Sequence, residues 1–217
     1  LAAGGCTRRR PGPNDAYRDP RVSAETWNHY FEDEGRGEIY QKRDAILRLA
    51  AVRPGMTVAD VGAGTGLFSM MLSDAVGPSG RVYAEEVEAR FSGYIAERAA
   101  RSKRANVVSV VGTERGIGLP PGSIDLAFLC DVYHHFDYPT EMLASIRQAL
   151  RAGGQLYIVD FRREVGASPA WIFEHVRADE AHVIQEVQQA GFVLVSADHS
   201  LHDSYALRFR SSARVGE

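Results

Sequence analysis

Cysteine is nearly missing from this chain: Cys6 and Cys130 are the only two in 217 residues. Two thiols cannot build a disulfide framework, and they cannot make a thiolate zinc centre without several histidines. Long apolar runs are missing too. None approaches the ~18 residues of a membrane-spanning helix, so no span is expected. Nor does one sign of charge dominate, since 25 Lys and Arg face 28 Asp and Glu for a net charge of -3. A chain so balanced is not built as a general polyanion binder, and a nucleic-acid partner is not expected. What is present is ordinary for a folded chain: 45% hydrophobic and 24% charged residues, which excludes wholesale disorder. The length fits one large domain, or one domain with an appendage.

The first residue is Leu1, and Leu1-Ala2-Ala3-Gly4-Gly5-Cys6 resembles the end of a bacterial lipoprotein signal, where small residues precede a lipid-modified cysteine. Ala3 departs from the Leu usual there. This leader would place a lipid anchor at Cys6 and the protein at a membrane or in the periplasm. A merely cropped N-terminus is the competing reading, and it leaves a cytoplasmic location. Residues 1–22 carry Pro11, Pro13, Pro20 and Arg8-Arg9-Arg10 with no periodic apolar face, and are expected to form an extended leader. From Ser23, an expected helix N-cap, the pattern becomes regular. Trp27, Tyr30 and Phe31 form a helical stripe, and Ile39, Ile46, Leu47 and Ala50 mark a second helical stretch. Strands then alternate with helices: strands over 57–61, 81–85, 107–111, 124–130 and 155–161, helices over 67–76, 89–102, 140–150 and 179–190. Two late strands, 192–197 and 205–210, have no helix between them and should pair antiparallel at one edge. The fold class is therefore α/β: a doubly wound, mostly parallel, seven-stranded Rossmann-like sheet with an antiparallel last strand and helices on both faces. Such sheets bind ligands beyond the carboxyl ends of their strands.

The most informative stretch is Val58-Ala59-Asp60-Val61-Gly62-Ala63-Gly64-Thr65-Gly66-Leu67. It reads as strand, glycine turn and helix start. A dinucleotide fingerprint needs glycine where Leu67 stands, and a P-loop needs a Gly-Lys-Ser/Thr that is not there. Asp60 would also repel a pyrophosphate. The ligand at this loop is expected to be cationic or zwitterionic.

Asp60-Val61-Gly62-Ala63-Gly64-Thr65-Gly66 resembles the first motif of class I S-adenosylmethionine (SAM)-dependent methyltransferases, in their small-molecule, UbiE-like branch. In that family the loop wraps the methionine part of the cofactor and the acid reaches its ammonium group. Val82-Tyr83-Ala84-Glu85-Glu86-Val87 resembles the second strand, whose terminal acid, here Glu86, binds the ribose hydroxyls. A carboxylate suits two vicinal donors. Thr113 stands where the family often has an Asp for the adenine amino group, so Thr113 or Glu114 is expected to substitute. Leu150-Arg151-Ala152-Gly153-Gly154 resembles the family turn before strand five, with Ala152 in place of Pro. The resemblance covers about 38–210. It implies SAM as cofactor, S-adenosylhomocysteine as product, and cofactor contacts from Asp60, Gly62, Ala63, Gly64, Gly66, Glu86, Val87, Thr113, Glu114 and Asp131. On this reading residues 23–217 form one methyltransferase domain, with a helical lid over about 23–52.

Catalytic residues are less sharply marked. Tyr133, His134 and His135 follow strand four, where this fold passes the reacting sulfonium, and a neutral imidazole there could serve as general base. Adjacent histidines diverge by about 100° on a helix and point to opposite sides of a strand. They are expected to be a poor chelating pair, and no metal is expected. Asp131 and Asp160 both end strands but lack the Asp-Asn pair of metal-dependent O-methyltransferases. Arg177 could grip an anionic substrate. The expected function is methyl transfer to an O, N, S or C nucleophile of a small molecule. The alternatives are a protein or nucleic-acid methyltransferase, or a SAM-binding module without turnover.

Overall fold

The computed structural model describes residues 14–33 and 37–212. Cys6 and the lipoprotein-like stretch lie outside these residues. Among them, no helix is long and apolar enough to cross a membrane.

Seven strands form one sheet: β1 (Thr57–Val61), β2 (Arg81–Glu86), β3 (Val107–Val111), β4 (Ile124–Cys130), β5 (Leu150–Phe161), β6 (Phe192–Asp198) and β7 (Ser204–Ser211). Their order is β3-β2-β1-β4-β5-β7-β6. β1 to β5 run parallel, while β7 pairs antiparallel with both β5 and β6. The hairpin expected at one edge is therefore present, but its second strand is slotted inside, between β5 and β6. The order reverses at β1, which has β2 on one side and β4 on the other. That switch point puts a crevice at the carboxyl ends of β1 and β4.

Alternation along the central strands divides the core in two. Ala59, Val61, Ala127, Leu129 and Ile158 face one side, with α6 (Pro139–Ala149) and α8 (Glu180–Gln189) covering them. Val58, Phe128, Tyr157 and Val159 face the other, against α3 (Arg43–Leu49) and α4 (Leu67–Val76). A strand buried on both faces reads as a continuous apolar run, as β4 does. Truncating Phe128, fully buried between Phe68 and Tyr157, would cost about 3–5 kcal/mol. α5 (Ala89–Arg101) adds Ile95 and Ala99 over Met70 and Ala84.

The N-terminal part departs from expectation. Ser23 does cap α1 (Ala24–Phe31), accepting from the Thr26 amide at 3.2 Å. Residues 14–22, however, are not an extended leader but turns packed on the domain. Tyr17 stacks on Phe91 with ring centroids 4.4 Å apart. Arg90 holds the segment from below, donating to the carbonyls of Tyr17, Asp19 and Val22. Aromatic burial and three charge-assisted bonds hold these turns against the domain. Two further helices are short, α2 (Glu38–Gln41) and α7 (Ala170–His175).

Candidate active site

The glycine loop leaves β1 and enters α4. Gly62, Gly64 and Gly66 all have positive φ, at 67°, 58° and 86°. Gly62 is the most constrained, because a Cβ there would lie 2.2 Å from Cγ2 of Val132. The loop thus presses against the segment after β4, and only glycine permits that approach. α4 begins at Gly66 with no side-chain cap, so its first amides face the crevice.

Three carboxylates converge here, each 2–3% exposed: Asp60, Glu85 and Glu86. Asp60 accepts from Ser69 Oγ at 2.6 Å. Glu85 accepts from the Gly62 amide at 3.2 Å. Glu86 accepts from the Gly64 amide and the Tyr17 hydroxyl, both at 2.9 Å, and from the Glu88 amide at 3.1 Å. Burial raises the pKa of all three. Asp60 is pushed up to about 7 and Glu85 to about 8, with the charge of Glu86 adding to burial in both. Glu86 is raised as well, by burial against the pull of its hydrogen bonds. Glu85 was not singled out in the sequence. Its signal was a second acid inside an apolar strand, together with Gly112, where a Cβ would sit 1.7 Å from Glu85 Oε1. Gly112 makes the room that Glu85 fills.

One pocket gathers Asp60, Gly62, Ala63, Gly64, Glu86, Val87, Thr113, Glu114 and Asp131 with Glu85, Val132 and His135. Gly66 does not line it, but sets the helix start. The Thr113 hydroxyl is tied into a local turn, donating to the Gly116 carbonyl at 3.3 Å. Glu114 pairs with Arg18 at 2.7 Å. Asp131 holds φ at 60°, a conformation in which Asp is enriched among non-glycine residues. Over this pocket lie Asn14, Tyr17, Arg18 and Phe31. Asn14 reaches the His135 carbonyl at 3.1 Å. Of the aromatics in residues 23–52, Phe31 lines the pocket and Trp27 packs edge-on to Tyr17, whereas Tyr30 is 58% exposed and Tyr40 sits under Arg43.

Two expectations after β4 are corrected. Tyr133 does not line the pocket. It is fully buried in the core, and its hydroxyl donates to Glu186 at 2.7 Å. Arg177 grips that same Glu186 with two bonds of 2.9 and 2.6 Å, which commits it to the fold. The histidines also behave differently from a helical or strand pair. Tyr133–His135 is a single 3-10 turn, and it brings the His134 and His135 rings to 4.1 Å. His175, from α7, lies 4.9 and 5.0 Å from them. His134 Nδ1 meets Asp160 Oδ1 at 2.7 Å, with both side chains buried. Burial lowers the His134 pKa, and Asp160 more than restores it. Burial and the neighbouring histidines push His135 down to about 2 and lower His175.

The donor set fits S-adenosylmethionine. Buried acids suit a ligand with an ammonium group and a sulfonium, and they disfavour a phosphate at the loop. A methyltransferase-domain family model matches residues 59–158. Protein-L-isoaspartate O-methyltransferase of Aeropyrum pernix is 40% identical over 75 residues, which cover 35% of this chain and 29% of that protein. Ubiquinone/menaquinone biosynthesis C-methyltransferase UbiE of Bordetella parapertussis is 28% identical over 114 residues, covering 52% of this chain and 44% of that protein. The chain thus spans less than half the length of either relative. In fold, it is similar to a SAM-dependent methyltransferase from Aquifex aeolicus, with a TM-score of 0.75 at 23% identity over 87% of this chain and 98% of that one. The family match falls on the strands that carry the glycine loop and its acids, so over residues 59–158 the chain is similar to methyltransferase domains, and its fold is that of a SAM-dependent methyltransferase.

Proposed function

We propose that this protein transfers a methyl group from SAM to an O, N, S or C nucleophile of a small molecule. The observation that carries the proposal is the cluster of Asp60, Glu85 and Glu86, buried around a glycine loop at the switch point of the sheet. When bound, SAM supplies a methyl group on a sulfonium, a leaving group that departs neutral and needs no acid.

The chain's own residues divide the remaining work. Asp60 and the backbone of Gly62, Ala63 and Gly64 would hold the methionine part, with Gly66 setting the helix behind them. Glu86 would accept the ribose hydroxyls. Val87, Thr113 and Glu114 would border the base. Asp131, Val132 and His135 would bound the side where the acceptor enters. Tyr17 and Phe31 would shield the site from water, and holding the nucleophile ~3 Å from the methyl carbon supplies much of the rate gain. A small acceptor is supported by the balanced net charge of -3 and by the segment over the pocket, where Asn14, Tyr17, Arg18 and Phe31 line it. The likeness to UbiE, named for ubiquinone and menaquinone, points the same way.

The test is calorimetry of the chain with SAM and, separately, with NAD, followed by a screen of small acceptors for release of S-adenosylhomocysteine. Micromolar SAM binding that Glu86→Ala abolishes without unfolding, with no NAD binding, is expected. No SAM binding to folded protein would refute the proposal, and binding without turnover on any acceptor would leave a SAM-binding module in its place.

A further inference from the structure

The histidines beside the pocket form a group of their own. One ring nitrogen from each of His134, His135 and His175 lies within 4.8 Å of the other two. Two of these residues also leave buried nitrogens without hydrogen-bond partners among the described residues, His134 Nε2 and His135 Nδ1. Buried polar atoms are nearly always paired, so two such atoms on adjacent residues ask for a shared partner. An imidazole nitrogen with its lone pair free is a ligand for borderline metals.

Asp160 makes the arrangement more specific. Its side chain and that of His134 are each 1% exposed. Oδ1 takes His134 Nδ1 at 2.7 Å and the Phe161 amide at 2.8 Å, and Oδ2 takes the His134 amide at 3.0 Å. With Nδ1–H aimed at a carboxylate, Nε2 becomes the ligating atom, and the buried negative charge favours a cation at the ring. A histidine backed by a carboxylate in this way is the usual support of a metal ligand. An alternative grouping of Asp131, His134 and Asp160 also lies within 4.8 Å. It would need Asp160 as a direct ligand, although its oxygens already accept three N–H groups. The three-histidine set is therefore the better ligand set.

We propose that His134, His135 and His175 form a site for one divalent transition-metal ion of the zinc class, with Asp160 as the positioning residue behind His134. Zn–N bonds of about 2.0–2.1 Å require nitrogens roughly 3.4 Å apart, so the triad must tighten on binding. His175 can supply this movement, because it is only half-buried at the end of the six-residue helix α7. Three protein ligands leave a fourth position, as in sites that bind a substrate atom. His135 lines the cofactor pocket, which puts the ion on the acceptor side. The site itself rests on side-chain geometry and stands whether or not the methyl-transfer proposal holds.

The experiment is metal binding to the untagged full chain, stripped with chelator and shown to be folded by circular dichroism. Zn²⁺ is titrated by calorimetry, and Co²⁺ by visible absorption. One equivalent is expected, with a Co²⁺ ligand-field band. His175→Ala should abolish stoichiometric binding, and Asp160→Asn should weaken it by about 10–100-fold. His202→Ala, at a side chain that is 93% exposed and not part of the triad, should change nothing. Long-range ¹H–¹⁵N spectra should show His134 losing its Nε2 signal to the metal while Nδ1 stays protonated. If His175→Ala proves unfolded, His175→Gln carries the same expectation. No binding to folded wild-type protein, or binding that survives loss of His175, would overturn the proposal. Ligation of His134 through Nδ1 would overturn the role of Asp160.

Discussion

Gly62→Ala tests whether the contact between the glycine loop and the segment after β4 is as tight as the geometry demands. Two costs can be separated. Alanine at a φ of 67° costs roughly 1–2 kcal/mol, because its Cβ crowds the following carbonyl oxygen. The new methyl group would also lie 2.2 Å from Val132 Cγ2 and 3.1 Å from Val132 Cβ, and overpacking of this kind costs about 1–3 kcal/mol. The sum is about 2–5 kcal/mol, or a fall in Tm on the order of 5–15 °C for a chain of this size. Val132→Ala removes the atom that clashes but not the backbone cost. Urea unfolding of wild type, both single variants and the double variant should therefore show coupling of about 1–3 kcal/mol, the double losing less than the sum of the singles. Cofactor binding should weaken in Gly62→Ala and partly recover in the double, because the Gly62 amide is the donor that fixes Glu85. Losses that add to within about 0.5 kcal/mol would refute the reasoning and place the whole effect in the backbone.

The buried acids predict a pH dependence. Asp60 and Glu85 have folded pKa values raised to about 7 and about 8 by burial. The stability linked to them is full below their unfolded values near 4 and is lost as pH rises through 7 and 8. The ligand-free protein should accordingly lose thermal stability between pH 5 and 8. SAM, being cationic at the loop, should bind more tightly over the same range and release protons, read by calorimetry in buffers of different ionisation enthalpy; binding with no proton release would count against the cluster. Tyr17→Phe removes one of three hydrogen bonds to Glu86. It should cost about 1–3 kcal/mol in urea unfolding and yet tighten SAM binding by freeing a lone pair for a ribose hydroxyl, and weaker binding would mean that Tyr17 helps to hold the cofactor.

How much of this was legible depends on whether a residue's role is local. Asp60 and the three glycines lie within a single turn, so their spacing alone announces the loop. Glu86 ends the next strand, where register is regular. Glu85 was hidden by its neighbour, because only the fit with Gly112, just past the end of β3, shows that it turns inward. Tyr17 was illegible for the opposite reason: prolines and arginines around it describe the loose stretch they belong to, while its place is set by Phe91 and Arg90 from α5. The adjacent histidines were read on helical or strand geometry, and a 3-10 turn is neither. Their third member, His175, sits on a helix too short to show a period, and no local pattern could have joined it to them.

The two sides of the pocket therefore differ in origin. The cofactor side is built from β1, β2 and β3 in sequence order, by motifs that each sit at one strand end. The acceptor side is assembled from pieces far apart in the chain: Tyr17 and Phe31 before the sheet, and Asp131, Val132 and His135 after β4, with His134, Asp160 at the end of β5 and His175 packed beside them. A sheet with parallel strands makes this division natural, since every β-to-α turn opens on the same edge. Drift in the segments flanking the sheet can change what is methylated without disturbing the acids proposed to hold the cofactor. It follows that variants in residues 14–33 and 170–175 should alter acceptor selectivity, whereas variants at Asp60, Glu85 and Glu86 should decide whether SAM is held at all. Of the three histidines, His135 lines the pocket, and the proposed metal site predicts that acceptors with an atom a zinc-class ion can hold should be methylated in preference to those without one.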